Sequence, residues 1–89
     1  MLEIVRTNGF ERDLKRVNKR RYPLNKLAVI VDILIAGQTL PQLCRPHKLV
    51  GNYEGLWVCH IEPDWLLIYE VLDDMLILIA TGTHADLFQ

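Results

Sequence analysis

Between Val58 and Tyr69 the chain reads V-C-H-I-E-P-D-W-L-L-I-Y, two apolar runs broken only by Glu62, Pro63 and Asp64. Each run is rich in β-branched and aromatic residues and too short for an ordinary helix, which makes them neighbouring strands joined at a polar turn. Pro63 fixes its own φ and offers no backbone donor, so it belongs to the turn and not to one unbroken strand. His60 and Asp64 therefore flank the same turn, and their side chains can face one cleft.

The remaining elements arrange themselves around that hairpin. Strands are expected at 56–61, 65–71 and 75–80, with Asp73 and Asp74 forming the second tight turn, so the three make an antiparallel meander. Residues 1–6 alternate weakly and suit a short strand. Asn8 followed by Glu11 resembles a helix cap, after which Phe10, Leu14 and Val17 form an apolar stripe with Lys15, Arg16 and Lys19 facing away. Pro23 suits the first turn of a second helix reaching Ala36, with Leu27, Ile30, Val31 and Leu34 as its core stripe. Val29, Ile33 and Ile35 broaden the buried or partner-facing surface of that helix, and Gly37 ends it. Residues 38–55, with Pro41, Pro46, Gly51 and Gly55, read as an extended connection holding at most a short helical turn. The order β-α-α-β-β-β predicts an α+β fold: an N-terminal strand and a helical hairpin packed on a mainly antiparallel four-stranded sheet, with the first strand brought in by a long crossover. One domain, residues 1–89, is expected. The stretch from Thr81 to Phe88 reads as a tail, bent at Gly82 and pinned back by Leu87 and Phe88.

A composition of 51% apolar residues with four prolines and five glycines fits a folded chain and excludes strong disorder. The N-terminus lacks a secretory pattern, and the longest apolar run falls far short of the ~20 residues that cross a bilayer, so a soluble cytoplasmic protein with no membrane partner is expected. Cys44 and Cys59 form no zinc pattern and are expected as thiols, Cys59 as a small buried hydrophobe. A net charge of −1 gives no case for nucleic acid, but its distribution is uneven. Seven of ten basic residues (Arg6, Arg12, Lys15, Arg16, Lys19, Arg20 and Arg21) precede Tyr22, and none follows Lys48, where seven acidic residues lie. Any phosphate contact must borrow charge from the first half.

The chemistry-bearing residues are three histidines, His47, His60 and His84, each near a turn or strand end, with Asp64 able to orient an imidazole. Metal-free RNA cleavage needs a base for the ribose 2′-hydroxyl, charge stabilisation at phosphate and an acid for the leaving 5′-oxygen. Two histidines, an acid and a cation are sufficient for that. The same residues are also compatible with a histidine metal site, although their separation lacks a compact metal motif, or with separate structural roles.

With P-H-K-L-V-G from Pro46, C-H-I-E-P-D-W-L-L-I-Y from Cys59 and T-G-T-H-A-D-L-F from Thr81, in order and after a helix pair, the chain resembles the YafQ-like branch of the RelE/ParE superfamily of bacterial toxins. The resemblance implies a ribosome-dependent mRNA endoribonuclease that needs neither metal nor cofactor and is neutralised by a cognate antitoxin. It implies catalytic roles for His60, His84, Asp64 and His47, with His60 and His84 as the proton-transfer pair. RNA contacts are implied for Lys48, Arg45, Trp65 and Phe88, the last as the aromatic seat for a nucleotide. The implied partners are the antitoxin, the ribosome with its mRNA, and operator DNA only in complex with the antitoxin. Two positions depart from the family pattern: Ala80 stands where an Arg is common, and Val58 where an acidic residue is frequent. They motivate an alternative, a toxin-fold protein acting mainly through antitoxin binding and operon autoregulation. A gyrase-directed relative is disfavoured by the histidine pattern. An antitoxin segment is expected against the apolar face of the second helix, with acidic groups near Arg12, Arg16, Arg20 or Arg21.

Overall fold

The expected hairpin forms. In the computed structural model, which describes residues 1–51 and 55–88, β3 (Trp57–Glu62) and β4 (Trp65–Leu72) run antiparallel with Glu62 opposite Trp65, leaving Pro63 and Asp64 as the two-residue turn. The pairing passes from His60–Leu66 to Glu62–Trp65, so Ile61 is an extra residue on β3. Such a bulge adds local twist and re-aims the neighbouring side chains. β5 (Met75–Gly82) returns antiparallel to β4 through Asp73, held at φ 55°, a left-handed conformation that Asp tolerates better than most residues.

Two further strands complete a five-stranded sheet of order β1-β5-β4-β3-β2. β1 (Glu3–Arg6) lies parallel to β5, which makes the helix pair its crossover, as parallel neighbours require. β2 is the two-residue pair His47–Lys48, set antiparallel against β3 inside the connection read from sequence as extended. A short 3-10 turn, Gln42–Cys44, precedes it; residues 52–54 of that connection lie outside the described residues.

α1 (Asn8–Lys19) starts one residue earlier than the Asn8 cap predicts, because Thr7 is the cap. Its Oγ1 accepts the Phe10 amide at 3.1 Å and reaches the Leu78 and Ile79 carbonyls of β5 at the same distance, so one hydroxyl both starts the helix and ties it to the sheet. α1 ends with Arg21 at φ 62°, where the Arg21 and Tyr22 amides donate to the Asn18 and Val17 carbonyls. α2 (Leu24–Ile35) follows Pro23 and closes in the same manner at Gly37, φ 71°, with Gly37 and Gln38 donating to Leu34 and Ile33.

Both helices cover one face of the sheet. Phe10, Val17, Leu27, Ile30 and Val31 meet Cys59, Trp65, Leu67, Tyr69, Leu76 and Leu78 there. The expected stripe of α2 holds at Leu27, Ile30 and Val31, while Leu34 is only partly buried and Val29 is exposed. The broad apolar content of α2 is thus mostly core. The opposite face carries a smaller cluster, Val58, Leu66, Ile68, Ala80 and Leu87. Leu87 belongs to α3 (His84–Phe88), a five-residue helix in the stretch read from sequence as a tail. No helix among the described residues is long and apolar enough to cross a membrane.

Candidate active site

His47 pairs with Val58, and His60 with Leu66. Directly opposed residues share a face, so both imidazoles lie on the side of the small cluster. α3 brings His84 and Phe88 to the same side. The four rings form a row, with centroids 6.5 Å apart for His47–His60, 5.8 Å for His60–His84 and 6.4 Å for His84–Phe88. Residues drawn from nearly half of the chain, His47 to Phe88, converge in this row.

Hydrogen bonds assign the ring nitrogens. His84 Nδ1 lies 2.5 Å from Asp64 Oδ1, and the same oxygen accepts the His84 amide at 2.9 Å. A carboxylate only accepts, so Nδ1 carries hydrogen and Nε2 is turned outward. These two bonds from His84 hold the Asp64 carboxyl below its ordinary pKa, and the carboxylate persists throughout the neutral range. His47 Nδ1 meets the Arg45 carbonyl at 2.8 Å, which leaves its Nε2 available too. Arg45 itself stands at φ 42°, a conformation rare outside glycine, and this turn is what aims that carbonyl.

His60 differs from its neighbours in being half-buried, with Nδ1 enclosed and without a well-formed hydrogen bond. Desolvation, followed by the charge of Arg45 and then of His84 and His47, lowers its pKa; the Cys44 backbone carbonyl opposes them only in part. His60 is accordingly neutral at pH 7. A cleft of about 500 Å³ between the 3-10 turn and the β3–β4 turn opens beside it, lined in part by Arg45, Ile61 and Glu62.

Three sequence expectations change. Trp65, expected to touch RNA, is 1% exposed and sits in the helix-side core, its ring edge-on to Tyr22 at 5.1 Å and its Nε1 donating to Thr81 Oγ1 at 2.9 Å. It supports the turn from beneath, because its place at the start of β4 directs it to the helix face. Lys48, also expected at RNA, pairs with Trp57 and holds its ammonium 5.8 Å from that ring, on the face opposite His47. The charge of Arg45 is the one that reaches His60. Arg16 and Arg20, expected to receive an antitoxin's acids, already hold Asp13 and Asp86.

The elements that sequence reasoning missed are β2 and α3. The first is too short for any periodic signal, but α3 has one: T-H-A-D is a capping box, and Thr83 and Asp86 cap each other reciprocally at 3.1 and 2.9 Å. Val58 and Ala80 both lie in the small cluster under the row. Cys59 is fully buried, and desolvation, then the neighbouring Cys44, pushes its thiol up to about 12, which fits a packing role.

A helix pair crossing over to a parallel edge strand, with a histidine row on the opposite face, defines a small toxin-type α+β fold of the RelE/ParE kind. Residues 2–89 match the family model described as the bacterial toxin of the type II toxin-antitoxin system, YafQ. The mRNA interferase toxin YafQ of Escherichia coli strain K12 is 38% identical over 87 residues, 97% of this chain and 95% of that protein. The crystal structure of the E. coli DinJ-YafQ complex superposes with a TM-score of 0.92 at 37% identity, covering 100% of both chains. A copper-bound mutant toxin from Helicobacter pylori superposes at 0.94 with 31% identity, covering 99% of this chain and 100% of that one. The chain belongs to the YafQ family of type II toxins.

Proposed function

We propose that this protein is a ribosome-dependent mRNA endoribonuclease, held inactive by a cognate antitoxin, that cuts RNA by histidine acid–base chemistry. The observation that carries the reading is the row His47–His60–His84–Phe88, with His60 neutral and His84 oriented by Asp64. In this scheme His60 Nε2 takes the proton of a ribose 2′-hydroxyl as that oxygen attacks phosphorus. His84 Nε2 gives a proton to the departing 5′-oxygen as the P–O bond breaks, leaving a cyclic phosphate and a 5′-hydroxyl. Arg45 and His47 face the charge that gathers on the phosphate, and Phe88, 44% exposed, offers a ring for a base to stack on. The ribosome supplies the positioning of RNA that a domain of net charge −1 does not provide alone.

The test is cleavage of programmed mRNA in a translating extract, alongside an active relative. Cuts that depend on translation support the reading; a folded protein that makes none under conditions where the relative cuts overturns it. The copper-bound relative raises the question of a metal. Among the described residues no group of three or more His, Cys, Asp or Glu is gathered closely enough to hold one. The scheme proposed here draws on side chains alone.

Ala80 and Val58, apolar and buried where the family often carries Arg and an acid, favour a second reading. In it the fold serves antitoxin binding and operon autoregulation, with operator DNA met only through the complex. Tight binding to the small protein encoded beside it, with no RNA cuts, selects that version. In both readings the protein works in the cytoplasm.

A further inference from the structure

His84 is carried on a helix of five residues, far too short to persist by its own hydrogen bonds. Its position must come from what holds α3, and the holding group is Asp86. One oxygen of Asp86 accepts the Thr83 amide at 2.9 Å, closing the capping box. The same carboxylate receives both guanidinium nitrogens of Arg20, at 2.7 and 3.2 Å, and Arg16 adds its charge from 3.9 Å. Arg20 is the C-terminal cap of α1, on the far side of the sheet edge from the histidine row.

The clamp is bound to the sheet as well. Arg16 also pairs with Asp13 at 3.0 Å, and the other Asp13 oxygen accepts the Thr81 amide at 3.1 Å, so α1 grips the end of β5 immediately before the turn into α3. Gly82 completes the fit: a Cβ there would lie 2.8 Å from Asp86 Oδ2 and 2.9 Å from its Cβ, so a side chain would push Asp86 off Arg20. Asp86 is held far below the ordinary carboxylate range, first by Arg20 and then by the Thr83 amide. On the other side of the short helix, Asp64 takes the His84 amide and Nδ1. His84 is thus held between two carboxylates, one of which is set by α1.

We infer that Arg20 is a positioning residue for His84: through the two-nitrogen bridge to Asp86 it fixes the angle of α3 so that the His84 imidazole meets Asp64 and faces His60. Its catalytic consequence rests on the proposed role of His84, while its structural consequence does not. A planar fork matched to a carboxylate fixes direction as well as distance, which a single point charge does not.

The experiment compares the full chain with Arg20→Met, which keeps the aliphatic stem and removes the fork, and with Asp86→Asn, which keeps an acceptor for the Thr83 amide and removes the charge. In the free protein, the His84 imidazole nitrogen resonances should move towards those of an unrestrained histidine in both variants. In single-turnover cleavage on programmed ribosomes, each should lose about 10-fold to 100-fold in rate with ribosome binding unchanged, the scale expected of a misplaced reacting group. In a His84→Ala background the same changes should alter the rate less than about 2-fold, since groups acting through one residue are not additive. Arg20→Lys should recover only part of the loss. Unmoved His84 resonances in a folded variant overturn the inference, as does an undiminished rate loss in the His84→Ala background. If the parent chain makes no cuts, the resonances alone decide: a shift upholds the positioning role while the nuclease reading falls. Asp86→Asn keeps the question open to measurement should Arg20→Met melt too low to study.

Discussion

Beneath α1 and α2, thirteen of the described residues form one buried cluster; beneath α3, on the other face of the same sheet, there are five. The first face is closed by two twelve-residue helices, the second by one of five residues. All three histidines are on the thinner side. The difference teaches that one sheet separates the task of staying folded from the task of holding exposed rings in a row. On the proposed reading, ring nitrogens that reach RNA cannot be packed under a helix, and the larger buried cluster lies behind them.

The comparison breaks most sharply if a change on the thin face unfolds the protein. His84→Ala should lower single-turnover cleavage about 100-fold to 10,000-fold, equivalent to about 3–5 kcal/mol of transition-state stabilisation, while thermal melting stays near that of the parent. Equal rates at saturating protein would remove His84 from the chemistry. Phe10→Ala, on the thick face, should do the reverse: about 3–5 kcal/mol of folding stability lost in a denaturant titration, because a fully enclosed ring leaves a cavity. Cleavage per folded molecule should be unchanged.

Phe88→Ala sharpens the contrast at intermediate size, with a loss of about 1–3 kcal/mol in binding a stacked base, read as weaker affinity for a short single-stranded RNA or for ribosomes. The pH profile gives a further check. Because the His60 pKa is lowered, its proton-accepting form survives below pH 6.5; the rate should hold as pH falls from neutrality to that value and decline only below it. Stability follows the same sign, full above the unfolded histidine pKa and decreasing as pH falls through the folded one. A cleavage rate already halved at neutral pH would show that His60 is not the base. The smallest expected effect is on the thick face: Arg21→Gly should raise stability by up to about 1 kcal/mol, since glycine accepts the left-handed cap at φ 62° without the cost that a side chain imposes.

What the sequence revealed and what it hid divide along the same physical line. β3, β4 and β5 were readable because β-branched and aromatic runs end at Pro63–Asp64 and Asp73–Asp74, signals contained within a few residues. Phe10, Val17, Leu27, Ile30 and Val31 were readable because helical spacing places them on one face. Thr7 was missed as the cap since its advantage over Asn8 comes from the Leu78 and Ile79 carbonyls, some seventy residues away. The histidines were identifiable by chemical type and resemblance, but not their order in the row, which depends on the sheet. The Ile61 bulge has no signature in V-C-H-I-E-P-D-W, and the facing of Lys48 depends on a two-residue strand whose partner lies across a connection. Arg20 reads from sequence as a contact for an antitoxin's acids, because nothing near it in sequence points to Asp86.

The parallel pairing of Glu3 with Met75 has a consequence for the timing of synthesis. The segment of β1 leaves the ribosome long before its strand neighbour β5 exists; at about 5–20 residues per second the wait is roughly 4–14 s. Antiparallel hairpins between nearby segments close quickly, whereas pairing across such a separation is slow. Until β5 has emerged, β1 has no strand to join, Asp13 no Thr81 to grip and Thr7 no Leu78. A nascent chain lacking β5 therefore holds the parts of the thick face without its frame, and nothing of the histidine row beyond His47 and His60.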